Sequence, residues 1–272
     1  MPRLSRSLLI FASILIAAQF VVALTAQWVT PYDPLAQSIV ARLKGPSFAH
    51  WLGTDQLGRD VLARILFGYR TSLAACVAAV TVALVIGGAV GIAAAFYRGW
   101  LERISMRLMD VLFAFPVMLL AIGIIAMLGP RATSATIAIA IIYTPIFARI
   151  LRGPALVICE AEYVKAARAI GASALAILLR HVVPNLASVI FVQTSLSLST
   201  AILVEASLSF LGLGAQPPAP SLGLMLSEGR NFLMLSPWSA VFAGLAILVL
   251  AFGFNLLGDA LRDRLDPRLA RA

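Results

Sequence analysis

Residues 160–185 read Glu-Ala-Glu-Tyr-Val-Lys-Ala-Ala-Arg-Ala-Ile-Gly-Ala-Ser-Ala-Leu-Ala-Ile-Leu-Leu-Arg-His-Val-Val-Pro-Asn. Charged side chains recur every three residues from Glu162 to Arg168, a spacing that predicts a short amphipathic helix. Gly171 can supply the backbone freedom for a sharp helix end, and Pro184 suits the first turn of a following helix. The stretch is therefore predicted to form a charged helical hairpin that projects into water from an otherwise apolar protein.

The rest of the chain is strongly apolar. Of its 272 residues, 61% are hydrophobic and only 12% are charged, and the mean hydropathy is +0.97. This is more apolar surface than one soluble core can bury, so the chain is predicted to lie in a lipid bilayer. The excess of 21 Lys and Arg over 12 Asp and Glu then indicates membrane orientation and not nucleic-acid binding. Cys76 and Cys159 show neither metal-ligand spacing nor a disulfide pattern.

The chain contains six runs free of Asp, Glu, Lys and Arg that are long enough, or nearly so, to cross a hydrocarbon core roughly 30 Å thick as helices. These runs are 7–32, 71–97, 111–130, 132–148, 181–204 and 231–258. Residues 206–227 are also uncharged, but their glycines and prolines predict the end of the fifth span followed by an external loop. The first run is too long for a secretory signal and is predicted to remain as a transmembrane helix.

Both termini are predicted to be cytoplasmic, because an even number of spans places them on one side and the loop charges select that side. In this orientation fourteen of the 21 lysines and arginines face inward and seven face outward, as the positive-inside rule requires. The predicted order is a transmembrane helix over 1–32, a folded or interfacial external segment over 33–70, a five-helix domain over 71–260 with its cytoplasmic loop at 153–184, and a cytoplasmic tail over 261–272.

Amphipathicity alone leaves two interpretations of the 160–184 hairpin. It is either an interfacial helix lying on the headgroups or a rigid knob on which another protein docks. The hairpin resembles the Glu-Ala-Ala loop through which permeases of bacterial ABC importers bind their ATPases. Four positions are in register with that loop: Ala166, Ala167, Gly171 and Pro184. Lys165 and His181 depart from it, because the pattern usually has Glu and often Ile at these positions.

The resemblance extends to the C-type permease subunit of the dipeptide and oligopeptide importer family. The matching stretches are Leu52-Gly-Thr-Asp-Gln-Leu-Gly-Arg-Asp60, Asp110-Val-Leu-Phe-Ala-Phe-Pro116, Glu205-Ala-Ser-Leu-Ser-Phe-Leu-Gly-Leu-Gly214 with Gln216-Pro-Pro-Ala-Pro220, and Asn255-Leu-Leu-Gly-Asp259 with Leu265-Asp-Pro-Arg268. They span most of the chain from about residue 50 onward, with a departure at Leu222, where the family often has Trp. The resemblance implies an all-α protein of the bacterial inner membrane with six transmembrane helices and the type I ABC importer permease fold.

The resemblance also implies partners and a coupling site. The partners are a B-type permease, one or two ATPase subunits and an external substrate-binding protein. The residues implied to couple to the ATPase are Glu160, Glu162, Tyr163, Lys165, Ala166, Ala167, Arg168, Gly171 and Pro184. The chain itself has no Gly-x-x-x-x-Gly-Lys-Ser/Thr phosphate loop, so it is predicted to be a non-catalytic subunit without a cofactor or metal, with ATP bound by its partners.

Glu205 is the one acidic residue within a predicted span. Placing an ionisable group inside the bilayer costs on the order of 3 kcal/mol unless the group is paired or hydrated. Two roles are open for Glu205. It has a functional role, in which it contacts the substrate or gates the translocation path, or it has a structural role, in which it hydrogen-bonds to a nearby hydroxyl such as that of Ser207 or Ser209. Gln193 and Ser197 on the same span are candidates for the translocation path, but polar side chains also join helices in membranes.

The sequence predicts a permease subunit of an ATP-driven peptide importer that forms half of the translocation path. Family members resembling this chain also move nickel chelates or haem, which remain alternative cargoes. A proton-coupled secondary transporter is disfavoured because Glu205 stands alone, His50 lies outside the spans and His181 lies at a membrane edge. A membrane-embedded hydrolase is disfavoured because no His-Glu-x-x-His motif occurs.

Overall fold

The computed structural model describes residues 2–265, with side chains from Ser7 onward, and the end of the predicted tail, 266–272, lies outside this range. The helices are α1 (Pro2–Val29), α2 (Val61–Tyr97), α3 (Gly99–Phe113), α4 (Val117–Leu128), α5 (Ala132–Cys159), α6 (Glu162–Ala169), α7 (Ala174–Ile177), α8 (Ala187–Phe210), α9 (Leu222–Arg230) and α10 (Trp238–Leu265). Within residues 2–265 there is no β-strand, only one isolated bridge between Thr54 and Asp60. The described chain is all-α, as predicted.

Five helical stretches of the described chain are long and apolar enough to cross a membrane: Ser7–Val29, Val61–Tyr97, Ala132–Cys159, Ala174–Phe210 and Trp238–Leu265. A sixth crossing requires α3 and α4 to be counted together, although they meet at an angle of 92°. The six-span prediction holds when this bent pair counts as one crossing.

The run 111–130, predicted as one span, is divided between two helices. The helix breaks between Phe113 and Val117, where Pro116 is the N-cap of α4. Proline lacks the N–H that a continuing helix would need, so the chain ends one helix and begins another. With 12 residues, α4 alone is about 18 Å long, which is shorter than the hydrocarbon core.

Two helices extend beyond the runs that the absence of charge predicted. Helix α2 begins at Val61 and not at residue 71, so the last part of the predicted external segment 33–70 belongs to a helix. Helix α5 continues to Cys159, beyond the predicted limit at residue 148. Arg64 in α2 and Arg149 and Arg152 in α5 are paired with acids from other parts of the chain. Helix α9 was not predicted; it begins within the stretch 206–227, which was predicted to be an external loop, and ends just before the predicted sixth span.

Helices α2 and α5 pack closely against each other, backbone to backbone. A Cβ atom added at Gly87 would lie 2.2 Å from the Thr144 carbonyl oxygen, and one added at Gly91 would lie 2.2 Å from that of Ala148. The two glycines are four residues apart, the spacing at which small residues let membrane helices approach backbone to backbone. Helix α5 continues through Pro145 without interruption.

The segment between α1 and α2 is folded and is held by four charged side chains, here called the external ion cluster: Asp55, Arg59, Arg64 and Glu228. Asp55 Oδ2 lies 2.6 Å from Arg59 Nε and 2.5 Å from Arg64 Nη1. Glu228 Oε2 on α9 lies 2.9 Å from both arginines. The side chains of Asp55 and Arg64 are 0% and 1% exposed, so the cluster joins the external segment, the start of α2 and α9 in a buried network.

Candidate functional site

The 160–184 hairpin has the shape that its sequence predicts. Helix α6 ends in a Schellman motif, in which Gly171 N–H donates to the Arg168 carbonyl at 3.0 Å and Ala172 N–H donates to the Ala167 carbonyl at 3.0 Å. Gly171 adopts φ +81°, a left-handed conformation that favours glycine. After this turn α7, a π-helical stretch over Leu178–Val182 and a short 3-10 helix lead into α8.

The hairpin is fixed to the helix bundle by a hydrophobic cluster of its own. From the hairpin this cluster contains Val164, Ala167, Ile177 and Val182, and it packs against residues of α2 and α5 that include Ile92 and Leu151. Ala167 therefore differs from the other predicted coupling residues, because its side chain is only 8% exposed and packs inward. Ala166, by contrast, is exposed. The anchored hairpin can transmit force as a rigid unit.

The charges of the hairpin interact mainly within the chain. Glu160 Oε1 lies 2.6 Å from Arg98 Nη2 at the junction of α2 and α3. Lys165 Nζ lies 3.4 Å from Glu162 Oε1 and 3.7 Å from Glu160 Oε2. These pairs are largely exposed, so each contributes at most about 1 kcal/mol and each can exchange for a partner on another protein.

Arg168 and Tyr163 make ring contacts near the same junction. The Arg168 guanidinium lies 4.6 Å from the centroid of the Phe96 ring, so this side chain also packs back on α2. The rings of Tyr163 and His181 lie 6.1 Å apart, which brings together the two arms of the hairpin. Sequence reasoning missed Phe96 and Arg98, because nothing in the pattern around them indicates a contact with residues 160–168.

Four bulky side chains on the hairpin are exposed and form what is here called the docking set: Tyr163, Ile170, Leu175 and Leu179. Ile170 is 85% exposed and Leu175 is 66% exposed. Exposed apolar groups on a polar projection mark a protein interaction surface. Pro184 is exposed at the start of its short 3-10 helix. Leu175 and Leu179 were missed by the sequence reasoning, although their four-residue spacing places them on one helix face.

The predicted path residues all lie on α8, where two of them share a hydrogen bond. Gln193 is half-buried, and its Nε2 donates to Ser197 Oγ at 3.0 Å. Ser197 is 1% exposed. Glu205 is 3% exposed and its Oε1 accepts a hydrogen bond from Ser209 Oγ at 2.7 Å, while Oε2 has no hydrogen-bond partner in the described part of the chain. The contact with Ser209 is one of the two alternatives open for Glu205, and the path role of all three residues stays a prediction.

Substitution of Gly171 tests whether its conformation is needed for coupling. A Cβ at this position would meet nothing within 4 Å, so Gly171→Val is costly through its backbone conformation, by about 1–2 kcal/mol, and not through a clash. We expect Gly171→Val to lower transport-coupled ATP hydrolysis severalfold with normal membrane insertion. Gly171→Asn should retain most of it, because Asn tolerates the left-handed region. If both variants hydrolysed ATP in proteoliposomes at the wild-type rate during transport, this turn would have no role in coupling.

Comparison with known proteins gives the same picture for the whole chain. Residues 87–271 match the family model described as binding-protein-dependent transport system inner membrane component. The glutathione transport system permease protein GsiD of Pectobacterium atrosepticum is 48% identical over 261 residues, covering 96% of this chain and 85% of the relative. GsiD of Escherichia coli O1:K1 is 48% identical over 259 residues, covering 95% of this chain and 86% of the relative.

A solved structure supports the fold independently. A chain of the MetNI methionine ABC transporter in an inward-facing conformation superposes with a TM-score of 0.61 at 17% sequence identity, covering 75% of this chain and 96% of that chain. The polypeptide is thus a multi-pass protein of the bacterial inner membrane with the type I permease fold. It belongs to the family of binding-protein-dependent transport system inner membrane components and is the non-catalytic permease subunit of an ABC importer.

Proposed function

We propose that this chain is the C-type permease of an importer of short peptides. The observation that carries the proposal is the 48% identity, over 96% of this chain, to a permease named for glutathione, which is itself a modified tripeptide. The stretches that resemble the dipeptide and oligopeptide family point to the same class of cargo. We infer partnership with a B-type permease, one or two ATPase subunits and an external binding protein that delivers the peptide.

The proposed mechanism is alternating access driven from the hairpin. Closure of the paired ATPases on ATP would displace α6, whose inward face is fixed to α2 and α5 through Val164 and Ala167. The arm after Gly171 is continuous with α8 in an apolar helical stretch from Ala174 to Phe210. Movement at the cytoplasmic end would therefore tilt the helix that carries Gln193, Ser197 and Glu205.

Close backbone contacts at the external end support transmission over the full length of α8. A Cβ added at Gly223 on α9 would lie 2.2 Å from the carbonyl oxygen of Ala206 on α8. Helix α9 is in turn held by Glu228 to the external ion cluster. A tilt of α8 would thus carry α9 and the external segment with it, which is a route by which ATP binding could open the path toward the binding protein.

Uptake by the reconstituted transporter tests this proposal. The complex would be placed in proteoliposomes containing ATP, and its binding protein would be supplied outside with labelled dipeptides, tripeptides, glutathione, nickel chelate or haem. We expect uptake of short peptides that requires both ATP and the binding protein. Uptake of nickel or haem alone would contradict the peptide assignment, and uptake driven by a pH gradient without ATP would contradict the mechanism.

A further inference from the structure

A cavity of about 750 Å³ lies between α3 and α5 on the predicted cytoplasmic side. Its α3 wall is a single helix face that includes Glu102, Arg103, Arg107 and Asp110, and its α5 wall carries two further arginines. In all, four arginines and two carboxylates line the cavity, which leaves an excess of positive charge. Nothing in the proposed coupling mechanism uses this cavity.

The two carboxylates are already occupied by the arginines of α5. Arg149 Nη2 lies 2.5 Å from Asp110 Oδ1, and Arg152 is paired with Glu102. Among the side chains described, those of residues 7–265, no acidic group lies within ion-pair distance of Arg103 or Arg107. These two guanidinium groups are exposed and line the cavity, so the site offers two unneutralised cations to a ligand.

A second face of α3, next to the basic one, is apolar and uncovered. Trp100 is 75% exposed, Ile104 47%, Leu108 58% and Val111 57%, at the spacing of one helix face. The angle of 92° between α3 and the apolar α4 allows α3 to lie along the bilayer surface while α4 enters the bilayer within the same bent crossing. An amphipathic helix in this orientation buries its apolar side at the boundary of headgroups and acyl chains.

We propose that the cavity binds the phosphate headgroup of an anionic phospholipid from the cytoplasmic leaflet. Arg103 and Arg107 supply charge-assisted hydrogen bonds to the phosphate oxygens, and the acyl chains lie along the apolar side of α3. Basic pockets beside membrane helices on the cytoplasmic side bind anionic lipid headgroups in this way. Bound lipid holds α3 at the membrane surface and thereby fixes the bend between α3 and α4.

A lipid fits these observations better than a soluble anion or a protein partner does. The basic cavity and the apolar surface are two faces of one short helix, and a phospholipid is the ligand that carries a phosphate and long apolar chains in one molecule. A soluble anion would leave the apolar side of α3 unexplained. An acidic protein surface would leave Trp100 and Leu108 exposed to water.

The test measures lipid retained by the full-length chain, purified in mild detergent with the subunits that accompany it. Native mass spectrometry would count bound phosphatidylglycerol and cardiolipin per protein for wild type and for the Arg103→Gln/Arg107→Gln variant. Each arginine beside an anionic headgroup contributes about fivefold to affinity, so the double variant should bind these lipids about 25-fold less tightly. Arg103→Lys/Arg107→Lys should restore most of the retention.

A matched control removes two positive charges from the same side of the membrane. Arg262→Gln/Arg264→Gln, at the exposed end of α10, should retain wild-type levels of anionic lipid, and all variants should elute as the assembled complex. If Arg103→Gln/Arg107→Gln retained anionic lipid at the wild-type level, the proposal would be overturned. Equal binding of phosphatidylcholine, displacement of the lipid by inorganic phosphate, or loss of the ATPase with lipid unchanged would each also overturn it. None of these measurements uses a peptide substrate, so the lipid proposal can fail independently of the proposed function.

Discussion

Replacing Ile170 by Asp is expected to lower ATP-driven uptake at least about tenfold, with the protein still inserted in the membrane at its normal level. Ile170 is 85% exposed, so the substitution removes no packing within the chain and should leave its stability nearly unchanged. If the docking set enters a groove on the ATPase, however, a charge at this position is buried without a partner. Such a change at the centre of an interface commonly costs 2 kcal/mol or more, equivalent to about a thirtyfold loss of affinity.

The readout is retention of the ATPase during purification, followed by uptake and ATP hydrolysis in proteoliposomes. Ile39→Asp is the matched control, because Ile39 has the same 85% exposure and lies in the external segment. It should leave ATPase retention at the wild-type level. Full ATPase retention and full uptake in Ile170→Asp would show that the docking set faces something other than the ATPase.

Replacing Asp55 by Asn is expected to destabilise the protein by about 3–5 kcal/mol, the largest effect on stability among these predictions. Asp55 Oδ1 accepts the backbone N–H groups of Leu57 and Arg59 at 2.8 and 3.0 Å. Its Oδ2 faces the arginines of the external ion cluster. An asparagine that keeps the first contacts turns its NH₂ group toward two guanidinium donors, which leaves buried charge without its partner.

Thermal unfolding in detergent and limited proteolysis of the external segment would measure this effect. Asp110→Asn is the matched control, because it removes the same charge from a pair of similar length with Arg149 in which the side chains are 44% and 52% exposed. Such exposed pairs contribute at most about 1 kcal/mol. An unchanged unfolding temperature and intact residues 33–60 in Asp55→Asn would rule out a structural role for the cluster.

The sequence predicted the features that depend on local pattern. The hairpin could be placed because charges at a helical spacing, a glycine able to adopt positive φ and a helix-starting proline follow one another within residues 160–184. The apolar runs could be counted because a bilayer demands about 20 residues per helix. Both the hairpin pattern and the apolar runs can be recognised from neighbouring residues alone, without knowledge of contacts between distant parts of the chain.

The features that the sequence did not reveal depend on distant partners. Helix α2 begins earlier than predicted because Arg64 is neutralised by Asp55 and by Glu228, a residue on α9 far along the chain. Residues 111–130 were predicted as one span, because a proline such as Pro116 can either kink a helix or end it, and the local sequence does not distinguish the two. The inward packing of Ala167 likewise depends on α2 and α5, which no local pattern shows.

Site-specific cross-linking at position 170 would show directly whether the docking set contacts the ATPase. Cys76 and Cys159 are both buried, so an Ile170→Cys thiol can be labelled selectively with a short photoactivatable cross-linker in the assembled transporter. We expect a cross-link to the ATPase subunit whose yield changes when ATP is bound. Labelling of this cysteine from outside the cell, or irradiation that yields no product with the ATPase, would contradict this expectation.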